Sequence, residues 1–440
     1  MEERGKTLRN TFRSLRHRNF RLYFEGQGIS LIGTWIQRIA VPWFVYHLTG
    51  SVFLLGVVDF SGQIPTFLLA PFAGVLADRW NKLRALIVTQ LLSMLQALAL
   101  GVLYFSKNAQ IWHFILLNVF LGCVNAFDTP LRQSLLIELV GQKKDIGNAI
   151  ALNSSMVNMA RLLGPSIAGI LIAATNEGIC FLANAISFVF VVVSLLRMDI
   201  PGKNVVEAKR RSIIKDLKDG FSYVFRFPPL RYIVLLLALV SLMGMPYTVL
   251  MPIFASKILH GGSHTFGFLM GATGVGASMG AFYLASRRSV IGFVRIIPIS
   301  AGVFGVGLIA FALSRTFVLS IFMMLVTGLG MILNLASSNT ILQTISDDDK
   351  RGRVMGFYTM AFMGTAPFGS LLAGTLGSKI GAPNTLILSG ASCILGGIIF
   401  AAKIKRLREL IRPIYTRLGI IPEVTRGIQS ASDLQVPPKE

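Results

Sequence analysis

The chain has 440 residues, 53% of them hydrophobic and only 14% charged, and its mean hydropathy is +0.65. A soluble domain carries about 25% charged residues, so the composition excludes a soluble globular protein and implies a polytopic membrane protein. The net charge of +22 would suit a nucleic-acid binder, but of 42 Lys and Arg, 36 fall in segments assigned to one membrane side, four on the other and two within spans. That is the positive-inside distribution of a membrane protein with its basic side cytoplasmic, and it excludes nucleic acid as a partner.

Residues 1–19 form a basic arm, and residues 1–21 hold seven Lys or Arg, which suits a segment lying on anionic lipid. No small-residue cleavage site follows a short apolar region, so no cleavable signal peptide is expected. The first span, 20–48, contains Glu25, Gln27, Gln37 and Arg38. A charge inside a span is costly and by default marks a functional site with a partner. Arg38 lies twelve residues before the turn at Gly50 and Asp59 nine after it, on the second span (52–76). At about 1.5 Å per residue the two sit at similar depth. A pair facing a central cavity and a salt bridge that only locks two helices both fit this spacing.

Between the second and third (86–105) spans lies Gly74-Val75-Leu76-Ala77-Asp78-Arg79-Trp80-Asn81-Lys82-Leu83-Arg84, a short charged island that reads as a tight cytoplasmic turn. The fourth span, 111–131, carries Asn118, Asn125 and Asp128, with Arg132 at its end. The fifth, 146–174, holds Asn158, Arg161 and Gly164-Pro165-Ser166-Ile167-Ala168-Gly169. Arg161 lies roughly 22 Å along that helix, a depth at which only a lined cavity, a carboxylate or carbonyls would hold it. Gly164, Pro165 and Gly169 read as a close-packing face with a kink.

After the sixth span (179–196) comes the polar stretch 198–231, in which Ile213, Ile214, Leu217, Phe221, Val224 and Phe225 recur at helical spacing. It predicts an interfacial amphipathic helix joining two halves. Six further spans follow, at 232–254, 266–285, 296–313, 317–342, 355–376 and 385–402. At a constant offset of 205 residues Gly147, Gly164, Ala168 and Gly169 meet Gly352, Gly369, Ala373 and Gly374, so the second half repeats the first. The charged turn before the eleventh span is Asp347-Asp348-Asp349-Lys350-Arg351-Gly352-Arg353. The tail, 403–440, ends polar and Pro-containing and is expected to be partly disordered. The expected fold is therefore all-α and integral to the membrane, with twelve transmembrane helices in two pseudo-symmetric six-helix bundles, 20–197 and 232–402.

Cys123, Cys180 and Cys393 sit in apolar runs without Cys-x-x-Cys spacing, and the five histidines are scattered. No disulfide framework, metal site or cofactor is predicted. A phosphate-cradling loop is absent as well, and no nucleophile–base constellation lies at one depth, so the chain is not expected to be an enzyme.

The Asp78-Arg79 turn in its place between spans two and three resembles the signature loop of the major facilitator superfamily, with Asn81 where that family usually has glycine. The Gly-Pro-x-x-Ala-Gly segment is similar to the fifth-span motif of its antiporters, though Ala151 and Ala160 replace the earlier glycines. Arg18-Asn19-Phe20-Arg21-Leu22, Leu48-Thr49-Gly50-Ser51, Pro130-Leu131-Arg132-Gln133 and Arg351-Gly352-Arg353-Val354 sharpen the resemblance to the drug:proton antiporter branch of macrolide-efflux proteins and siderophore exporters. The resemblance, over roughly residues 10–403, implies a monomeric, proton-driven exporter of a small organic molecule by alternating access in a bacterial inner membrane, with both termini cytoplasmic. It also implies a gating latch of Asp78, Arg79, Lys82, Asp128 and Arg132, with Arg351 and Arg353 in the corresponding second-half turn. Asp59 beside Arg38 is the proton-coupling candidate, because burial and a neighbouring cation pull a carboxyl in opposite directions. Arg161, Asn125, Asn158 and Gln37 are the substrate-cavity candidates. A lysophospholipid flippase, a nutrient importer and, in another class, a non-transporting membrane sensor or scaffold are the alternatives.

Overall fold

The computed structural model describes residues 12–77, 80–140, 143–199, 213–287 and 289–420. These are helical throughout, without a strand among them. In hydrocarbon every backbone polar group needs a partner within its own segment, which leaves the helix as the form for such apolar runs.

The first half contains α1 (Arg18–Thr49), α2 (Val52–Ala77), α3 (Lys82–Phe105), α4 (Ile111–Glu138), α5 (Ile146–Ala174) and α6 (Glu177–Leu196). An amphipathic α7 (Ile213–Arg226) leads into α8 (Pro228–Ile258), α9 (Ser263–Ser286), α10 (Phe293–Leu313) and α11 (Phe317–Ile345). The chain closes with α12 (Arg351–Thr359), α13 (Ala366–Ile380), α14 (Ala382–Ala402) and α15 (Ile404–Arg417). Among the described residues ten helices are long and apolar enough to cross a membrane. Two segments expected to cross are not among them. The polar residues of α1 dilute its hydropathy, and glycine, serine and threonine dilute that of the 351–380 segment, which also carries a π turn at Met360–Gly364.

Local chemistry sets the boundaries. Gly50 ends α1 in the left-handed region, φ 62°, where a side chain would be strained. Asn81 caps α3, its side-chain oxygen accepting from the Arg84 backbone N–H at 3.0 Å, a role a glycine there could not fill. Helix α8 carries two π turns, Val240–Gly244 and Phe254–Ile258. The first lies against the π turn of 360–364, where Ser241 Oγ donates to the Phe362 carbonyl.

Residues 12 and 420 lie on one face, the terminal face, and the turns at 50, 175, 260 and 381 on the opposite, distal face. Within the first half α1 packs on α5 and α6, α2 on α4, and α3 on α4 and α6; in the second, α11 packs on α9 and α10, and α10 on α14. Two main contacts join the halves, α2 with α13 and α5 with α9, and α8 and α9 add smaller ones with α1 and α2. The first half's own apolar cluster near the terminal face includes Phe20, Leu86, Leu131 and Leu195.

The described part of the tail is helical. Residues 404–417 are an amphipathic helix whose Leu407, Ile411 and Tyr415 are buried against the second half. Their four-residue spacing among Lys and Arg was a readable signal. The basic arm also finds protein: Arg13 Nε lies 3.0 Å from Asp145 Oδ1, His17 Nε2 3.0 Å from Oδ2, and Ser14 Oγ donates to the Asp145 carbonyl.

Candidate functional site

The joints between the halves explain where a cavity forms. A Cβ added at Gly56 would stand 2.6 Å from the Ser370 carbonyl and 2.9 Å from Gly374 Cα. One added at Gly169 would stand 2.7 Å from the Ser263 carbonyl and 2.9 Å from Gly267 Cα. Only hydrogen fits at these crossings, so backbones meet directly and close the distal side. The internal repeat acquires a physical meaning here: Gly169 of α5 meets α9, and its counterpart Gly374 of α13 meets α2. Gly164 and its counterpart Gly369 instead press on helices of their own halves, against Trp35 and the Leu242 carbonyl.

Below this seal the halves separate around a cavity of about 1410 Å³. It reaches toward the terminal face as far as Tyr23, Arg132 and Asn153 on one wall and Asn339, Thr340 and Tyr358 on the other. The floor is polar. Arg38 of α1, Asp59 and Gln63 of α2, Asn125 of α4 and Arg161 of α5 face Thr273 of α9 and Ser370 of α13.

Asp59 and Arg38 share this cavity, but they are not an ion pair. Asp59 Oδ2 accepts from Gln63 Nε2 at 2.5 Å and from Ser370 Oγ at 2.5 Å. The second bond crosses from one half to the other, one helical turn from the Gly56–Gly374 contact. Equal depth did not make a pair because the carboxylate points along the α2–α13 joint, whereas the Arg38 guanidinium lies over the Trp35 ring, 5.0 Å from its centroid. Ser370 was not among the residues singled out. At the 205-residue offset its counterpart is Pro165, so the repeat offered no signal for it.

The other candidates divide. Arg161 and Asn125 line the cavity. Gln37 borders the cavity as well, but it is 5% exposed and joins α1 to α3 and α6, donating to Gln96 Oε1 (2.9 Å) and accepting from Asn184 Nδ2 (2.8 Å). Its polarity is spent within the first half. Asn158 is exposed and does not line the cavity.

The expected latch is described only in part. Asp78 and Arg79 lie outside the described residues. Lys82 Nζ pairs with Glu138 Oε1 at 2.7 Å, not with Asp128. Asp128 Oδ2 accepts from Arg132 one turn along α4 at 2.6 Å, and Oδ1 accepts from Thr89 (2.8 Å) and Gln90 (2.5 Å) of α3. A buried carboxylate holding three donor side chains has its hydrogen-bonding capacity met. Arg351 pairs with Asp348 at 2.5 Å, and Arg353 borders a second hollow between α7, α12 and α15. There Tyr223 donates to Asp347 at 3.0 Å, which holds the Asp347 carboxyl below its ordinary range. These contacts tie the amphipathic helices to the terminal turn of the second half. Among the described residues no group of three His, Cys, Asp or Glu is placed to hold a metal ion.

Comparison with known proteins adds an independent line. The family model described as "Transmembrane secretion effector" matches residues 9–411. The staphyloferrin A transporter of Staphylococcus aureus (strain NCTC 8325 / PS 47) is 29% identical, covering 86% of this chain and 94% of that protein. The multidrug efflux pump Tap of Mycolicibacterium fortuitum is 25% identical over 86% of this chain and 93% of its own. Macrolide efflux protein A of Streptococcus pyogenes is 21% identical over 90% and 99%. Among solved structures, a bacterial homolog of the human lysosomal transporter Spinster, inward-facing and occupied, superposes with a TM-score of 0.69 at 13% identity, covering 90% of this chain and 98% of that one. At that identity the likeness speaks for the fold alone.

Proposed function

This chain belongs to the transmembrane secretion effector family of the major facilitator superfamily, and from that premise we propose that it is a proton-coupled exporter of a small organic molecule. In this reading twelve helices cross a bacterial inner membrane as two six-helix bundles, 20–197 and 232–402, joined by the linker 198–231. The basic arm 1–19 and the tail 403–440 lie in the cytoplasm, so the terminal face is the cytoplasmic one. The protein works as a monomer, and the described conformation is the one that loads cargo from the cytoplasm. Rocking of the bundles about the cavity then gives alternating access. The exporting relatives, each matched over more than nine-tenths of its length, favour a drug-like compound or siderophore as cargo.

The observation that carries the coupling is the hydrogen bond from Ser370 to Asp59. An ionised Asp59 accepts from both Gln63 and Ser370. A protonated one loses charge-assisted strength in both bonds and slackens the joint. Protonation from the distal side therefore accompanies the open seal, and closure returns the carboxylate to its two donors and releases the proton to the terminal side. Membrane-embedded carboxyls are the usual proton carriers of transporters.

Asp59→Asn keeps the shape and removes the titration. It is expected to abolish proton-driven export while expression and folding persist, read as substrate-induced proton flux in reconstituted vesicles. Full flux in that variant removes Asp59 from the mechanism. The direction and cargo are read by untargeted mass spectrometry of medium and cells with and without the gene. A compound that accumulates inside without the gene supports export. One that stays outside means import, and altered lipid turnover alone points to a flippase.

A further inference from the structure

The cavity has more positive charge than the protein balances. Of the charged side chains at its wall, Asp128 and Arg132 neutralise each other, and Asp59, which accepts from Gln63 and Ser370, offsets part of the Arg38 charge without pairing with it. Arg38 and Arg161 remain. Among the described residues no ion pair involves either guanidinium, and Arg38 makes only its contact with the Trp35 ring. Both line the same space and are near enough to act on each other electrostatically.

Guanidinium does not discharge at physiological pH. Two guanidiniums without an ion-pair partner at membrane depth are costly, and that cost falls when an anion enters. Each guanidinium offers a planar fork that matches one carboxylate in bidentate fashion. The volume of about 1410 Å³ leaves room for a molecule far larger than a simple ion.

We infer that Arg38 and Arg161 form a substrate site for an organic anion with at least two carboxylate groups, one held by each guanidinium. Asn125 and Thr273 stand in the same wall for its neutral polar atoms. The inference rests on the exporter reading and names the cargo class of that cavity. It also separates the two ligands: the proton is held at Asp59 in the seal, the anion at the arginines, so coupling runs through closure of the seal and not through competition for one group.

The test is a binding measurement on purified full-length protein in nanodiscs, with tricarballylate as the probe and its trimethyl ester as the uncharged control. Thermal stabilisation is expected from the acid and not from the ester. Arg38→Gln and Arg161→Gln should each raise the acid's half-maximal concentration about tenfold or more, while Arg161→Lys keeps part of the affinity. Without ligand, both Gln variants should melt no lower than the parent, since each loses an unpaired charge; arginines that serve the fold would lower it. Equal stabilisation by acid and ester, none by the acid, or undiminished affinity in the Gln variants overturns the site. Because no transport is measured, tricarballylate binding with no export in cells fails the exporter reading and leaves the anion site standing. Export without carboxylate binding does the reverse.

Discussion

At the scale of the residue, partner choice decides function. Asp59 and Arg38 are the opposite charges nearest in depth, yet the carboxylate goes to Ser370 and Gln63. The same logic runs at the terminal face, where Asp145 collects the basic arm. The His17 ring, donating to its carboxyl, and then the charge of Arg13 hold Asp145 below the ordinary carboxylate range. A depressed folded value means that docking is complete above the unfolded value of about 4 and is lost as pH falls through the lower, folded one. Spin labels at Arg16 and Gly147, where a side chain meets nothing within 4 Å, should keep a short distance from pH 7 to about 5 and separate below about 4. Asp145→Asn should lengthen that distance at every pH. A distance indifferent to both changes would show that the arm is held by Ser14 and its backbone contacts.

At the scale of the element, the glycine crossings α2–α13 and α5–α9 are the joints that hold the distal side shut. A methyl at Gly56 or Gly169 meets backbone and not a yielding side chain, and such overpacking costs about 1–3 kcal/mol. Gly56→Ala and Gly169→Ala should therefore shift the population away from the distally closed state by roughly 5- to 150-fold. The spread between labels at Phe53 and Ser378 would report it. Gly147→Ala, with open space around it, should leave that distance unchanged, and so controls for loss of helix flexibility. The repeat was legible in the sequence as paired glycines, but which of them join halves was not. Gly164 and Gly369 have the same composition and spacing and pack within their halves, because helix rotation fixes which face meets which neighbour.

At the scale of the whole molecule, the structure has one open and one closed side. A cysteine at Asn125, in a Cys123→Ser background, should react with a water-soluble thiol reagent from the terminal face far faster than from the distal one; Cys180 and Cys393 are buried. Equal rates from both faces would remove the seal. The sequence by itself determined the membrane class, the helical runs, the turns between them, the internal repeat and the family, because each rests on hydrophobic length, charge asymmetry or a contiguous motif. It also brought Arg161, Asn125, Arg38 and Asp59 forward, because polar residues inside apolar runs stand out at any rotation. The folded arrangement alone settled that Asp59 bonds across the halves, that the Gln37 amide bonds within the first half, that Asn158 stays off the cavity wall and that Lys82 meets Glu138. Those outcomes depend on helix azimuth and on contacts between segments as much as 311 residues apart, quantities that no local pattern of side chains encodes.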